Sequence, residues 1–570
     1  MSRGGELLFV PPASDTAEDT VPGRGVGRPG RTTQSAMFAG PLLLYALLPS
    51  QNHNYADDSL SWAYQLTQSG NLINSHHLYL NPMRWLYHLL AGVGLPVNPV
   101  TLLTCYSAVW GALGLAILYR LLVRAGLAPT ALWATLLCAF SAGYWSYSIA
   151  GDVYVPATAL MTFGVYCTYC GFTTQSRGAA RWYAVGATVA FTMMIAHHQA
   201  YAVFVLGIAP AIWLMRGAAP TRRLLIGVAV PIAVCMLALV TYTVAYSSLP
   251  QDEQHGFGQF GVGYVDSFEA RADQKQLGVG TVVNIAAGET RALVSTNVLF
   301  RSPEVAQAIQ ERYPYRATYP FPYLVRDLSA PVAALVGVTA VVTLLLVVVL
   351  AIRGLWSGLR DRDLVLLAAL PMIPQMLFFA WWEGISDEFS LWTLPLVAIF
   401  VAHGAAVMTR PLRRLRVAVV CMFLSTLLGS VGLYWNPRND IDRVNDGYVA
   451  TLSSGDLLVG FEDIQSDFRI KLAADLQGFD YLNFFDVRGP QDMGSFVSVL
   501  DAAAAAGTPI HVSPRLTHPP ISALRFKESI DPDFESRRTA LLGRLAVVST
   551  VRWQEPVVYS ATYFDGADDA

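Results

Sequence analysis

Short polar breaks separate the apolar runs of this chain, and they are of two kinds that alternate along its whole length. One kind carries arginine, and the other carries acids or histidine. In chain order the breaks hold Arg24, Arg28 and Arg31; Asp57 and Asp58; Arg120 and Arg124; Asp152; Arg177 and Arg181; His197 and His198; Arg216, Arg222 and Arg223; the polar segment 248–328; Arg353, Arg360 and Arg362; Glu383, Asp387 and Glu388; and Arg410, Arg413, Arg414 and Arg416. Because arginine near the ends of membrane spans stays in the cytoplasm, the alternation predicts arginine breaks inside and the other breaks outside.

The composition excludes a water-soluble globule of this size. Of the 570 residues, 54% are hydrophobic and 14% are charged, and the mean hydropathy is +0.41. Such values are typical of a chain whose main solvent is the bilayer. The apolar runs predict about eleven spans, most of them near the ~20 residues that a crossing helix needs: 36–50, 99–119, 129–148, 153–172, 182–197, 199–215, 224–246, 329–352, 364–382, 389–409 and 417–435.

The predicted fold is therefore an α-helical polytopic membrane protein with a small C-terminal α/β domain outside the membrane. Residues 1–35 are rich in Gly, Pro, Arg and Thr and predict a disordered cytoplasmic tail. Residues 36–435 form the membrane domain, with outer loops at 51–98 and 248–328. In 436–570, apolar segments near 456–461, 481–485 and 509–512 alternate with helical patterns at 468–476 and 493–506. This β-α-β-α-β succession predicts a parallel sheet.

Two function classes are disfavoured by what the chain lacks. Apart from His403, no titratable acid or base lies within a span as drawn, whereas ion-coupled transporters need such groups at the bilayer midplane. The net charge is −3 and the basic residues lie mainly beside spans, so nucleic acid is not an expected partner. All six cysteines fall within apolar runs, where they act as small hydrophobic residues.

The polar residues collect at one predicted membrane face. Asp57 and Asp58 come directly before an amphipathic stretch at 60–70, and a second such stretch follows at 83–95. Segments of this kind lie in the headgroup plane. Each acid has an ordinary explanation, because Asp is a good N-cap for a following helix. The functional interpretation is a base or metal ligand whose pKa is tuned by burial and by its neighbour.

Further along the chain, the same face receives other polar groups. Asp152 occupies a tight turn between two spans, where an N-cap is again the alternative. His197 and His198 end the fifth span, where interfacial polar residues are common. Glu383 and Asp387 follow two tryptophans that fit an aromatic belt.

The layout resembles the GT-C superfamily, whose members are polytopic glycosyltransferases that use polyprenyl-phosphate-linked sugars, among them protein O-mannosyltransferases and aminoarabinose transferases. The shared features are an acidic pair after the first span, two interfacial helices before the second span, an acid at the start of the fourth span and a large late outer loop. The motifs that carry the resemblance are Tyr55-Ala56-Asp57-Asp58, His76-His77-Leu78-Tyr79-Leu80-Asn81-Pro82, Gly151-Asp152-Val153-Tyr154, and Asp387-Glu388-Phe389 followed by Trp392-Thr393-Leu394-Pro395.

The resemblance implies an inverting transfer of a sugar from a polyprenyl phosphate to an acceptor glycan, lipid or protein. Asp57 or Asp58 is then the base, and Asp152 positions the acceptor or orients the donor. The departing phosphate needs cationic or donor groups near it. The implied substrate contacts are Tyr55, His76, His77, Tyr154, His197, His198, Glu383, Asp387 and an arginine of the late loop, namely Arg301, Arg312, Arg316 or Arg326.

These residues are expected around one cavity, bounded by the first outer loop, the Asp152 turn, the His197–His198 turn and the segment 300–326. The two acids of the first loop are adjacent rather than spaced as D-x-D, so we expect no obligatory metal, with a divalent metal as the alternative. The expected location is the plasma (inner) membrane, with a cytoplasmic N-terminus. Two other functions stay open: a non-catalytic translocator or scaffold for lipid-linked glycans, and a glycan ligase or polymerase.

Overall fold

The structure is a computed structural model. It describes residues 31–50, 58–68, 77–95, 97–215, 219–247, 278–302, 304–305, 308, 328–361, 363–383, 386–408, 411–432, 447, 449–462, 464–487, 490–519 and 531–553.

Helices make up the first three quarters of the described chain. In order they are α1 (Arg31–Leu47), α2 (Ser59–Thr67), α3 (His77–Gly92), α4 (Pro99–Arg124), α5 (Ala128–Phe140), α6 (Ala142–Ser148), α7 (Tyr154–Thr173), α8 (Arg177–His197), α9 (Ala202–Leu206), α10 (Ile208–Leu214), α11 (Pro220–Leu224), α12 (Val230–Ser247), α13 (Val279–Leu293), α14 (Ala330–Asp361), α15 (Asp363–Glu383), α16 (Thr393–Ala406) and α17 (Pro411–Thr426). The π turns Leu225–Ala229 and Leu427–Val431 extend α11 into α12 and lengthen α17.

Every predicted span falls on a helix or on a run of helices, so the polytopic helical fold is confirmed. Among the described residues, six helices are long and apolar enough to cross a membrane, and three shorter apolar ones accompany them. The first helix begins at Arg31 rather than at residue 36, and it continues through Pro41. The chain is therefore a multi-pass membrane protein.

The helix α7 lies at the centre of the bundle. Seventeen of its twenty residues are buried, and it packs chiefly against α8 and α4. A helix that is enclosed by protein on all sides does not need the strongly apolar surface that lipid demands. Small residues let its neighbours approach: a Cβ at Gly164 would collide with the Phe191 ring. This enclosure explains why α7 is not among the six long apolar helices.

The two kinds of polar break lie at opposite ends of the bundle. At one end, the guanidinium of Arg120 is 5.7 Å from the ring centroid of Tyr166, and Arg416 is 5.0 Å from that of Trp133. Arg222 donates to the Gln175 carbonyl oxygen at 2.9 Å. The other end holds Asp58, Asp152, His197 and His198. We call these ends the arginine face and the acidic face.

The C-terminal part folds around a four-stranded parallel sheet in the order β2-β1-β3-β4. The strands are β1 (Leu457–Gly460), β2 (Asp480–Asn483), β3 (Ile510–Val512) and β4 (Val551–Trp553), and the helices are α18 (Ile464–Gln477), α19 (Pro490–Ala505), α20 (Pro514–Thr517) and α21 (Phe534–Leu545). The predicted β-α-β-α-β succession is confirmed, while β4 and α21 were not predicted. We call residues 456–553 the sheet unit.

The sheet unit contacts the acidic face through one helix. The ring of Phe468 on α18 lies 6.1 Å from that of Tyr64 on α2. Two turns along α18, the Asp475 carboxylate accepts hydrogen bonds from the Thr67 hydroxyl at 2.9 Å and from the Gln68 amide. The helix that follows the predicted base therefore lies between the membrane bundle and the sheet unit.

Candidate active site at the acidic face

Asp58 is the one member of the acidic pair that the structure describes. It stands at the N-cap position of α2, but its side chain makes no capping hydrogen bond. Asp58 is exposed by its overall surface area, yet the protein atoms around its carboxyl desolvate it and raise its pKa to about 6. A capping role therefore does not account for this acid. A carboxyl with such a pKa suits proton transfer near neutral pH.

The buried face of α2 fixes the position of Asp58. Leu60, Trp62, Ala63 and Leu66 are all buried, and they follow the helical spacing that packs α2 onto α4 and α3. Of the other predicted residues in this loop, Tyr55, Asp57, His76 and the side chain of His77 lie outside the described residues.

Asp152 is fully buried in the turn between α6 and α7. Its backbone N–H donates to the Ser107 hydroxyl oxygen at 3.2 Å, and that hydroxyl lies 3.1 Å from the Asp152 carbonyl oxygen. The carboxylate accepts from the adjacent Val153 N–H at 2.5 Å, but Val153 holds the N-cap position of α7 and no side chain caps this helix. A Cβ at Gly151 would stand 2.6 Å from the Leu103 side chain. The glycine thus lets this turn press against α4.

His197 joins the end of α8 to α4. Its Nδ1 lies 2.8 Å from the Met193 carbonyl oxygen, and its Nε2 lies 2.9 Å from the Tyr106 hydroxyl. A carbonyl can only accept, so Nδ1 carries a proton, and in the neutral ring Nε2 accepts from Tyr106. Tyr79 packs beside both rings. Burial and then the nearby Asp152 charge raise the pKa of Tyr79, so its hydroxyl stays protonated and able to donate.

His198 lies among aromatic rings from three other segments. Its ring centroid is 4.9 Å from that of Tyr154, 5.3 Å from Tyr201 and 6.3 Å from Phe389. Because these rings come from α7, the start of the next helical run and the turn before α16, the contacts bring the Asp152 turn, the histidine turn and the segment 387–390 together. These are separate breaks of the sequence pattern.

The late predicted residues are described only in part. Arg301 is exposed at the end of a 3-10 turn (Asn297–Arg301), and Glu383 ends α15. Arg312, Arg316 and Arg326 lie outside the described residues, as does the side chain of Glu383. Asp387 pairs with Arg291, whose Nη2 lies 3.0 Å from its carboxylate. Arg291, on α13, was not among the predicted arginines.

Glu289, also on α13, was missed by the sequence analysis. Glu289 is half-buried, and its carboxylate accepts from the Thr393 hydroxyl at 2.6 Å. Burial raises its pKa to about 7, although hydrogen bonds from Thr393 and Ser390 act in the opposite direction. The available signal was an acid and an arginine two residues apart in an otherwise apolar, helix-forming stretch of the late loop. Within the described ranges, no group of three or more His, Cys, Asp or Glu residues is placed to hold a metal ion.

Comparison with known proteins identifies the fold. The structure is similar to the crystal structure of ArnT from Cupriavidus metallidurans bound to undecaprenyl phosphate, with a TM-score of 0.52 over 85% of this chain and 94% of that one. The sequences are 11% identical. Neither a protein-family model nor a curated protein sequence matches the chain. The resemblance to the GT-C superfamily is thereby confirmed at the level of the fold.

Proposed function

We propose that this protein is an inverting membrane glycosyltransferase that takes its sugar from a polyprenyl phosphate. One observation supports this proposal best. Asp58, the Asp152 turn and the His197–His198 turn lie on one face of the bundle, within a fold shared with a protein bound to undecaprenyl phosphate. In the proposed orientation the acidic face is outside the plasma (inner) membrane, and the N-terminus is cytoplasmic.

The first step is proton removal from an acceptor hydroxyl by Asp58 or by the adjacent Asp57. The hydroxyl oxygen then forms a bond to the anomeric carbon from the side opposite the phosphate. The bond between that carbon and the phosphate oxygen breaks, and its electron pair leaves with the polyprenyl phosphate. Attack from the opposite side inverts the anomeric centre. Asp152 positions the acceptor or orients the donor in this arrangement.

Negative charge grows on the departing phosphate, and several groups are available to stabilise it. Tyr79 provides a hydroxyl donor beside His197, and His198 lies one residue further on. Arg291 joins Arg301 as a candidate cation, since its partner Asp387 lies two residues from Phe389, which packs on His198. Arginine suits this role because its fork can bond two phosphate oxygens at once.

The direct test uses the purified full-length protein with radiolabelled undecaprenyl-phosphate sugars and a cell-envelope extract. We expect label to move into a new product, and we expect either Asp57→Asn or Asp58→Asn to lower kcat by about 10²- to 10⁴-fold, the usual contribution of a general base. Asp480→Asn, an exposed acid on β2, is the matched control. Full activity in both loop variants would show that the base is elsewhere.

The same assay has a second readout in its pH dependence. If Asp58 is the base, it acts only when deprotonated, and its pKa is about 6. The value of kcat/KM should therefore fall as the pH drops below about 6. Unchanged donor across a broad sugar panel would favour the translocator or scaffold, and transfer of preassembled glycans alone would favour the ligase or polymerase.

A further inference from the structure

The helix α2, which begins directly after Asp58, is too short to be stable by itself. It has nine residues, whereas isolated helices shorter than ~12–15 residues are marginal in water. No side chain caps its N-terminus, so a cap does not compensate for its length. Its position therefore depends on the segments that pack against its two sides.

One side of α2 packs on the bundle, and the other side contacts α18 of the sheet unit. Tyr64, Thr67 and Gln68 share that second side because their spacing is three and four residues. The Phe468 ring lies 6.1 Å from the Tyr64 ring. The Asp475 carboxylate accepts from the Gln68 amide and from the Thr67 hydroxyl, which also lies 2.7 Å from the Tyr64 carbonyl oxygen.

The helix α18 belongs to both parts of the molecule. Leu472 is buried within the hydrophobic core of the bundle. Ile470 and Ala474 are buried in a separate cluster with Leu458 of β1. One helix thus connects the core of the bundle to the sheet, and α2 lies against it.

Polar contacts at the ends of the strands restrain α18. The Asp467 carboxylate accepts from the Asn483 amide, at the end of β2, and from the Lys471 ammonium, at 2.9 and 2.6 Å. The same ammonium lies 3.7 Å from the Asp486 carboxylate, just after β2. Because α18 is bonded to the sheet at these points, the surface that it presents to α2 is held in place.

Charges on α18 and the environment of Asp58 act on different groups of α2. Burial and then the Asp475 charge raise the pKa of Tyr64, while Lys471 acts in the opposite direction. The pKa of Asp58 is raised by desolvation. A looser α2 would therefore change Asp58 by admitting water to its carboxyl.

We propose that the sheet unit positions the base: Phe468 and Asp475 hold α2 so that the Asp58 carboxyl meets the acceptor hydroxyl. This role rests on the proposed function, whereas the attachment of α2 to α18 does not. Both side chains are positioning residues, since they act through α2. Such an effect can be large, because a misplacement of about 1 Å that originates far from the reacting atoms can cost 10²-fold in rate.

Hydrogen exchange of the full-length protein in detergent, followed by mass spectrometry, tests the attachment without sugar transfer. In Phe468→Ala and in Asp475→Ala, the backbone amides of α2 should exchange at least about tenfold faster, because local opening becomes easier. The amides of α4 should not change. Asp480→Ala and Val499→Ala, at exposed positions of the sheet unit, are the controls. Unchanged exchange of α2 in both contact variants would overturn the proposal.

Kinetics of the folded variants test the positioning. We expect kcat to fall roughly 2- to 30-fold, the range for coupling through a chain of contacts, with the larger loss in Phe468→Ala. The acid limb of kcat/KM should also move below its wild-type position near pH 6, because water reaches the Asp58 carboxyl. Simple loss of folded protein would lower the rate at every pH and leave the limb where it is.

Two further variants separate contact from charge. Asp475→Asn removes the charge but keeps an oxygen that can accept from Gln68, so it should restore slow exchange in α2 and most of kcat. Gln68→Ala added to Asp475→Ala should cost little more than Asp475→Ala alone, because both changes remove the same contact. Fully additive losses would mean that Asp475 acts elsewhere. Phe468→Leu replaces Phe468→Ala if that variant does not fold.

The possible failures are distinguishable. Faster exchange in α2 with full kcat and an unmoved acid limb would overturn the positioning role. The expected exchange pattern in a wild-type protein that transfers no sugar to any acceptor would support the attachment while refuting the proposed enzyme.

Discussion

The membrane bundle and the sheet unit satisfy their buried polar groups in different ways. Within the bundle, uncharged side chains bond to backbone, and many hydroxyls do so one turn away: Thr162 donates to the Thr158 carbonyl oxygen at 2.8 Å, and Thr339 donates to that of Leu335 at 2.7 Å. In the sheet unit, the fully buried Glu462 pairs with Arg515 at 2.8 Å and accepts from the Ser513 hydroxyl at 3.0 Å. All ion pairs between described residues lie at the acidic face or in the sheet unit.

This difference follows from what surrounds each region. A local hydroxyl-to-backbone bond needs no distant partner and adds no charge to a region bordered by lipid. The sheet unit has water around it, so it can collect charges at the carboxyl ends of its strands and bury them in pairs. Acids therefore have different roles in the two regions. In the sheet unit they stabilise the fold, and at the rim of the bundle they are candidate active-site residues.

The largest expected effect comes from breaking the buried pair of the sheet unit. Arg515→Met leaves the Glu462 carboxylate buried without its cation, which should lower the free energy of unfolding of the sheet unit by about 3–5 kcal/mol. Thermal unfolding of the full-length protein in detergent measures this. Adding Glu462→Gln should recover most of the loss. A double variant no more stable than Arg515→Met would mean that the charge is not what matters.

An intermediate effect is expected at Glu289, whose pKa is about 7 against a usual value of 4.5. Burial favours its protonated form, so this contribution to stability is full below about pH 4.5 and is lost as the pH rises through 7. Glu289→Gln stays neutral and should be more stable than the wild type at pH 8, by up to about 3 kcal/mol. The two proteins should have similar melting temperatures at pH 4.

Glu535 provides a control of opposite sign, because its hydrogen bond with Arg538 lowers its pKa. Glu535→Gln should lose a small amount of stability above about pH 4.5 and none at lower pH. If the melting temperature of Glu289→Gln relative to the wild type did not change with pH, the pKa of Glu289 would not be raised in the folded protein.

The smallest effect is expected inside the bundle. Thr162→Val removes one local hydroxyl bond while keeping the side chain's shape, and it should cost less than about 1 kcal/mol, as is usual for hydrogen bonds in membrane helices. Measuring its melting temperature together with that of Arg515→Met compares the cost of losing a polar contact in the bundle with the cost in the sheet unit. A loss as large as the one in the sheet unit would contradict the local account of polar satisfaction in the bundle.

The sequence predicted the helices of the bundle well because lipid imposes both their length and their polarity. The alternating breaks were read correctly as two faces, since arginine and acid clusters need no side-chain geometry to be recognised. The sequence pattern did not predict β4 or α21. The strand β4 spans only three residues (Val551–Trp553) and pairs with β3, which is far away in sequence. A local sequence pattern therefore does not indicate it.

The candidate site was predicted in outline but not in its contacts. Asp152, Tyr154, His197 and His198 are brought together by aromatic packing between distant segments, which spacing alone does not show. Glu289 escaped because its hydrogen-bond partner Thr393 lies about a hundred residues away in the sequence. Arg291 escaped because its partner Asp387 lies about a hundred residues away in the sequence. These residues are recognised as site residues by their contacts with distant segments, and residue type alone does not distinguish them from their sequence neighbours.

The position of α18 has a consequence for how such a protein diversifies. One side of this helix contacts α2, which follows the predicted base, and another side covers a groove of about 930 Å³ between α1 and α4. Substitutions at Arg469 or Leu476 would reshape the groove's cover from the aqueous side and leave the bundle that holds the acids unaltered. The cover of the groove and the acids at the rim of the bundle would then be inherited on different parts of one chain, free to change at different rates.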